Sequence, residues 1–391
     1  MVNTITKIEV FRLPPRWVFI RVDTSSGVVG WGEGTLEGHD EAVEGAYADL
    51  ASRFVGWDAD KIEDIWQHAY RGRFYRGGPV LMSALAGLDI ALWDIKGKTL
   101  GVSVSSLLGG AIRDRIRVYG WVGGDKPSDV LEAAKVRKAE GFDAIKMNGT
   151  GSVPWLTPPA LLQETVENLK AVRSLGLDAG VDFHGRVHKG TAKQLAKALE
   201  PYGPLFIEEP LLPTQPLEIA DLAKQTTIPI ALGERLYSRQ DYRPYFEARC
   251  VDVAQPDIAH CGGISELRRI AAYAETYDVS VAPHCPLGPL AFAASLQVDA
   301  VTVNFAIQEM SWKMHYNSQN MSEADLMTYM LNPEVFQVKD GRVDVLKGPG
   351  LGIEINEPLV RETAKKYGEM KEHKPWRNPT WRGEDGELRE W

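Results

Sequence analysis

Three carboxylates in this sequence close apolar runs in a way that suits metal chemistry. Asp182 ends the run 178–182, Glu208 ends the run 204–208, and Glu234 follows the run 228–232. Brought together, three carboxylates repel one another and are costly to hold unless a cation sits among them. An all-oxygen set favours a hard divalent ion, Mg²⁺ first and Mn²⁺ second. Three protein ligands leave an octahedral ion room for substrate and water. Two histidines stand at comparable places: His184 just after Asp182, and His284 just after the run 279–282. Asp257 follows the run 251–254, so its strand would lie beside that of His284. There it could accept a hydrogen bond from the imidazole, fixing the tautomer and raising its basicity. A base and an acid facing each other across a bound carboxylate suit removal of an α-proton followed by β-elimination. An α-proton beside a carboxylate is too weak an acid for a histidine near pKa ~6.5 acting alone. A dication lowers that barrier by stabilising the doubly charged enediolate, typically by several kcal/mol. Glu309 is placed to share the second oxygen of that group.

These side chains need a scaffold that points them at one place. From residue 117 onward, short apolar runs alternate with helical segments. The candidate strands are 117–121, 144–147, 178–182, 204–208, 228–232, 251–254, 279–282 and 300–304, spaced by about 21 to 34 residues. Eight such units close a barrel of parallel strands, with the active site at the C-terminal mouth. An open doubly wound sheet is the competing fold, but no GxGxxG follows the first strand. The preceding hundred residues have a different order. Runs 5–13, 17–22 and 27–31 read as a three-strand meander, and helical spacing follows over 40–54, 61–71 and 79–107. The fold class is therefore α/β: a modified (β/α)₇β TIM barrel with an α+β capping domain. The expected divisions are a cap over 1–116, a barrel over 117–354, and a segment 355–391 that returns to the cap. That last segment carries Trp376, Trp381 and Trp391, which a disordered tail rarely does.

The whole chain narrows the function classes. It has 391 residues, 44% apolar and 25% charged, with a net charge of −9, and nothing in it forms a basic face for nucleic acid or anionic lipid. Cys250, Cys261 and Cys285 are an odd set with no close pair, which reads as buried thiols and not as a disulfide or zinc framework. No apolar run approaches the ~20 residues of a membrane span, and the first residues lack a signal pattern, so a cytoplasmic protein is expected.

At these residues the sequence resembles the enolase superfamily, in its mandelate racemase subgroup. The run Ala91-Leu92-Trp93-Asp94-Ile95-Lys96-Gly97-Lys98 and the following Leu107-Leu108-Gly109-Gly110 carry that resemblance across the cap. Within the subgroup, five further strings are similar to those of galactonate dehydratases. They are Arg12-Leu13-Pro14-Pro15-Arg16-Trp17, Phe74-Tyr75-Arg76-Gly77-Gly78-Pro79, Asp182-Phe183-His184-Gly185-Arg186-Val187, Ala282-Pro283-His284-Cys285-Pro286-Leu287-Gly288-Pro289 and Trp376-Arg377-Asn378-Pro379. The resemblance implies Mg²⁺ on Asp182, Glu208 and Glu234. It implies His284 as general base with Asp257 behind it, His184 as general acid, and Glu309 on the enediolate. Superfamily members are known to pair a Lys or His base with magnesium. Lys146, Asn148, Glu37 and Tyr75 are the residues expected to contact substrate.

The implied reaction is dehydration of a sugar acid, D-galactonate to 2-dehydro-3-deoxy-D-galactonate in first place. Alternatives are another aldonic acid such as D-gluconate or a pentonate, then a racemase, then a catalytically silent binding protein on the same fold. Racemases of the subgroup carry a second lysine two residues after the first on strand two, where this chain has Asn148 after Lys146, which favours one-sided proton removal. His39, in the capping loop Glu37-Gly38-His39, and the segment 149–158 depart from the galactonate dehydratases and leave the sugar open. A homo-oligomer, dimer or octamer, is expected. His188 reads as an incidental neighbour of His184, and Cys285 as packing. Arg71, Arg73 and Arg76 read equally as polyol contacts or as a solvated helix end.

Overall fold

The computed structural model describes residues 2–123, 127–314, 324–369 and 380–390. Strands β1 (Ile5–Leu13), β2 (Trp17–Thr24) and β3 (Val29–Glu33) pair antiparallel in chain order. Helices α1 (Asp40–Phe54), α2 (Ile62–Arg71) and α3 (Pro79–Leu100) follow, then the short α4 (Val104–Leu107). The helical spacing over 79–107 is thus split at Gly101, which caps α3 in the left-handed region at φ 70°. Pro79 opens α3 at its first turn, where a missing N–H is harmless.

α3 is apolar nearly all round because it is covered on both sides. One side meets the cap sheet so closely that a Cβ on Gly32 would lie 2.0 Å from the Gly87 carbonyl oxygen. The other side meets the barrel. Asp89 accepts from Ser265 N at 3.0 Å and Ser265 Oγ at 2.6 Å, and Trp93 Nε1 donates to Ser265 Oγ at 3.0 Å. The string around Trp93 is therefore the cap's docking surface.

Eight parallel strands form the barrel: β4 (Arg115–Val122), β5 (Ala144–Asn148), β6 (Asp178–Asp182), β7 (Phe206–Glu208), β8 (Ile230–Leu232), β9 (Val253–Ala254), β10 (Ser280–Val281) and β11 (Gln308–Met310). Seven helices alternate with them among the described residues: α5 (Pro127–Ala139), α6 (Pro159–Ser174), α7 (Lys189–Leu199), α8 (Pro216–Ala223), α9 (Arg239–Glu247), α10 (Gly263–Glu275) and α11 (Pro289–Asp299). β11 pairs with β4, and the ring closes onto β10 where Ala306 N donates to the Val281 carbonyl at 2.8 Å. A short β12 (Arg342–Asp344) adds antiparallel to β4 from outside. Tyr119, Ala144, Phe206, Ala231, Val253, Ala282 and Ile307 fill the floor, so the barrel is a packed core with a site above it.

The eighth strand corrects the sequence expectation. Residues 300–304 form the exit from α11, and the strand is Gln308–Met310. Apolar periodicity missed it because two of its three residues are polar and fully buried, with Gln308 Nε2 donating to the Pro283 carbonyl at 3.0 Å.

The C-terminal helix, α12 (Glu357–Glu369), lies along β1, with Arg361 2.9 Å from Glu9 and its guanidinium over the Phe11 ring. Trp381 sits elsewhere. Its ring stacks under Arg186, in the loop after the third barrel strand, 4.7 Å from centroid to guanidinium carbon. Trp376 and Trp391, with the string 376–379, lie outside the described residues. The three cysteines are buried and unpaired with one another. No helix among the described residues is long and apolar enough to cross a membrane.

Candidate active site

Strand register brings the first carboxylates together. Asp182 pairs with Asn148 on one side and Glu208 on the other, so both acids leave the barrel at one level. Between them stands a cation. Lys146 Nζ lies 2.8 Å from Glu208 Oε1, 3.1 Å from Glu309 Oε1 and 3.2 Å from Asp182 Oδ2. All four side chains are essentially inaccessible to solvent. One ammonium does not balance three carboxylates. Burial, then the neighbouring Asp182 charge, raises the Glu208 carboxyl well above the usual range despite Lys146. Gln255 Nε2 donates to its other oxygen at 2.7 Å.

Glu234 stands two residues past β8, beyond Gly233, whose φ of 157° turns the chain. Its Oε2 is 2.9 Å from His284 Nε2. Ligand atoms of Glu208, Glu234 and His284 lie within 4.8 Å of one another, a grouping able to hold a metal ion. Asp182 is not in that grouping; it meets Glu208 through their shared contact to Lys146. Buried oxygen donors carrying surplus negative charge fit a hard divalent cation.

His284 is held at both nitrogens. Nδ1 meets Asp257 Oδ2 at 2.8 Å, and Asp257 is fixed in turn by Ala259 N at 2.8 Å. Burial alone would discharge the imidazole. Glu234, Glu309 and Asp257 overcome that and raise its pKa well above the ordinary histidine value. The contact to Glu234 thus favours the protonated imidazole.

His184 is different. It adopts φ 51°, a region uncommon for residues with a Cβ, and the adjoining Glu209 has φ 38°. The bend turns the ring over the mouth, with the His184 backbone N–H donating to Asp182 Oδ1 at 2.9 Å, ring Nδ1 3.3 Å from the same oxygen, and Trp121 packed edge-on. Burial lowers its pKa to about 4, against the pull of Asp182, so the ring is neutral near pH 7.

A cavity of about 300 Å³ opens between barrel and cap. Lys146, His184, Glu234, His284 and Glu309 line its barrel end, and Arg16, Leu36, Glu37, His39 and Pro79 its cap end. Of the residues expected to contact substrate, Lys146 and Glu37 face this space. Asn148 ends β5 without lining it. Tyr75 is 82% exposed, lies against Phe74, and borders a separate groove on the cap surface with Arg73 and Arg76. The structure therefore does not bring Tyr75 to the site. That expectation failed because a matching string says nothing of which way its loop turns.

Sequence reasoning also missed several cavity residues. Arg16 lies within the run Arg12-Leu13-Pro14-Pro15-Arg16-Trp17 but carries no chemical signal there. His260 stands three residues after Asp257, a spacing that places it on the same turn, and that signal was available. Trp121, Arg235, Tyr237 and Met314 carried none.

Residues 13–109 match the mandelate racemase / muconate lactonizing enzyme N-terminal domain, and residues 129–359 match the enolase C-terminal domain-like family. This chain belongs to the enolase superfamily, in the mandelate racemase and muconate lactonizing enzyme subgroup. Curated D-galactonate dehydratases from Ralstonia pickettii (strain 12J) and Pectobacterium atrosepticum are each 48% identical to it over 390 residues, 99% of this chain and all of theirs. A member of the enolase superfamily from Salmonella Typhimurium superposes with a TM-score of 0.84 at 30% identity, over 92% of this chain and 98% of that one. A mandelate racemase/muconate lactonizing enzyme from Sulfitobacter sp. superposes at 0.85 and 28% identity, over 92% and 95%.

Proposed function

We propose that this chain dehydrates an aldonic acid, D-galactonate in first place, to the 2-dehydro-3-deoxy acid. The observation that carries the reading is a single cavity holding His284 backed by Asp257, His184, and the buried Lys146–carboxylate cluster. The 48% identity to D-galactonate dehydratases along the full chain supports the sugar.

Asp182, Glu208 and Glu234 would hold the cation, Mg²⁺ before Mn²⁺. When bound, it would supply electrostatic stabilisation to the charge that develops on the substrate carboxylate. His284 in its neutral form would be the base. Its Nε2 then accepts the C2 proton, while Asp257 holds Nδ1–H and fixes the tautomer. Glu309 and Lys146 sit where they can steady the carboxylate oxygens. The electron pair from the C2–H bond forms the C2–C3 double bond, and the C3 hydroxyl leaves as water with a proton from His184. The enol then tautomerises to the 2-keto acid. Burial keeps His184 neutral in the free enzyme, so this role requires the substrate anion to raise its proton affinity.

Racemisation is disfavoured because Asn148, and not a base, stands after Lys146 on β5. A panel of aldonic acids assayed with Mg²⁺ tests the proposal. D-Galactonate is expected to give the 2-keto-3-deoxy product, and no such product from any member would overturn the reading. In D₂O, His184→Asn is expected to keep C2 exchange while losing dehydration, and His284→Asn to lose both. A homo-oligomer, dimer or octamer, belongs to the same reading. The exposed Phe74 and Tyr75 on the cap support it, and sedimentation velocity tests it.

A further inference from the structure

The cap end of the cavity holds a chain of alternating charges. Arg16 Nη1 lies 3.1 Å from Glu37 Oε1. Glu37 Oε2 lies 3.5 Å from His260 Nε2, and His260 Nδ1 lies 3.7 Å from Asp257 Oδ2. His260 Nε2 also donates to the Thr35 carbonyl at 3.0 Å, tying a barrel residue to the cap loop. Arg16 is 3% exposed, and its other nitrogen meets the Pro286 carbonyl at 3.0 Å and Met314 Sδ at 3.8 Å. Arg235, a second guanidinium on the wall, is committed to Glu209 and Glu234. Burial opposes the charge on His260 and on Glu37, and their partners overcome it. His260 is raised to about 9 by Asp257 and Glu37, and Glu37 is drawn down to about 2 by His260 and Arg16. At the cap end the Arg16 cation and the Glu37 anion cancel each other.

We infer that Glu37 fixes the number of carboxylates this site accepts, by cancelling Arg16 where the far end of the substrate rests. The proposal rests on the dehydratase reading for which end of the substrate is which. The reacting carboxylate goes to the Lys146 and Glu309 end. The other terminus then reaches the Arg16–Glu37 pair, which offers hydrogen-bond donors and acceptors to hydroxyls without net charge. A second carboxylate there must either sit against the Glu37 anion or break its pair with Arg16. In a partly desolvated site both are penalised. The cap therefore selects a monocarboxylate with a hydroxylated tail over the dicarboxylate made by oxidising its last carbon.

The test compares D-galactonate with galactarate on the Mg²⁺-loaded enzyme. Wild type is expected to favour galactonate in kcat/KM by about 100-fold or more. Glu37→Gln leaves one positive charge in surplus and should shrink that ratio by at least ~10-fold, chiefly through a lower KM for galactarate. His260→Gln leaves one negative charge in surplus and should widen it. Opposite shifts from two near-isosteric variants are not what a loosened cap would produce. Wild-type turnover of galactarate within ~10-fold of galactonate would overturn the inference. So would folded Glu37→Gln and His260→Gln enzymes with the wild-type ratio. If one variant does not fold, the wild-type ratio and the other variant still decide. Calorimetric binding of both acids separates this from the dehydratase reading. Binding discrimination that follows Glu37 with no turnover of any aldonate sinks the reaction and keeps the charge rule. Turnover without discrimination does the reverse.

Discussion

Replacing Lys146 with methionine removes the ammonium that holds Asp182, Glu208 and Glu309 together. At 2.8, 3.1 and 3.2 Å, each pair is worth about 5–6 kcal/mol of gross Coulomb energy at an effective dielectric constant near 20. Most of that offsets the desolvation of four buried charges. The net effect of breaking such a cluster is about 3–5 kcal/mol. Glu208, already raised well above the carboxylate range, can take up a proton and relieve part of the strain, so the lower end of that span is expected. The same change has an opposite effect on metal affinity. A fixed cation among the ligands repels a second one, so Lys146→Met should bind Mg²⁺ more tightly, by about 10-fold for ~1.4 kcal/mol of relieved repulsion. Turnover should fall, because the substrate carboxylate loses its ammonium. Denaturant unfolding of the metal-free proteins reads the first effect, and calorimetric Mg²⁺ titration reads the second. A metal-free variant as stable as wild type, or one that binds Mg²⁺ more weakly, would refute the account of Lys146 as counter-cation to the ligand set.

Three further outcomes are expected. Asp257→Asn keeps the shape beside His284 but alters the tautomer at Nδ1, so kcat and the rate of C2 exchange in D₂O should both fall by about 10²–10⁴ with KM little changed; an unchanged exchange rate would count against His284 as base. Glu208→Gln should weaken Mg²⁺ binding by at least ~10-fold in a calorimetric titration, and unchanged affinity would remove Glu208 from the ligand set. Asp89, buried between α3 and α10, has its carboxyl raised to about 7, chiefly by burial. A carboxyl raised in the folded state contributes stability below its unfolded pKa and loses it as pH rises through the folded value. Between pH 4 and 8 that loss is on the order of 3–4 kcal/mol. Asp89→Asn should flatten the pH profile of denaturant unfolding over that window, and parallel profiles would refute the assignment.

Which features could be read in the sequence follows from how each is encoded. Barrel strands buried on both faces must be apolar, so seven of the eight stood out as runs, and whatever ended them was on view. Asp182, His184, Glu208 and Asp257 were legible for that reason. β11 was not, because its buried Gln308 and Glu309 are held by hydrogen bonds at Gln308 Nε2 and Glu309 Oε2 that no apolar pattern records. Lys146 appeared as a substrate contact, whereas its first partners are the carboxylates, a fact of register between β5, β6 and β7. Residues from the cap were the least legible. Arg16 and His260 lie 244 positions apart and meet through Glu37, a juxtaposition set by how α3 seats on α10. Tyr75 shows the same limit in reverse: its loop is recognisable as a string, but its direction depends on docking.

That docking also bears on the base. Glu33, at the end of β3, is buried and accepts from Gly288 N at 2.8 Å and Ala291 N at 3.1 Å, at the start of α11. The helix N-terminus favours the anion, while burial pushes its carboxyl up to about 7. Gly288 is glycine for a steric reason, since a Cβ there would lie 2.7 Å from Glu33 Oε1. Gly288 is four residues beyond His284 on one continuous buried segment. The imidazole is thus positioned from below by Asp257 and along its own chain by a cap residue. Glu37, four residues after Glu33, reaches Asp257 through His260. Cap seating and base alignment are therefore one mechanical condition, and a substitution that unseats β3 should lower kcat even though it touches no group at the reacting carbon.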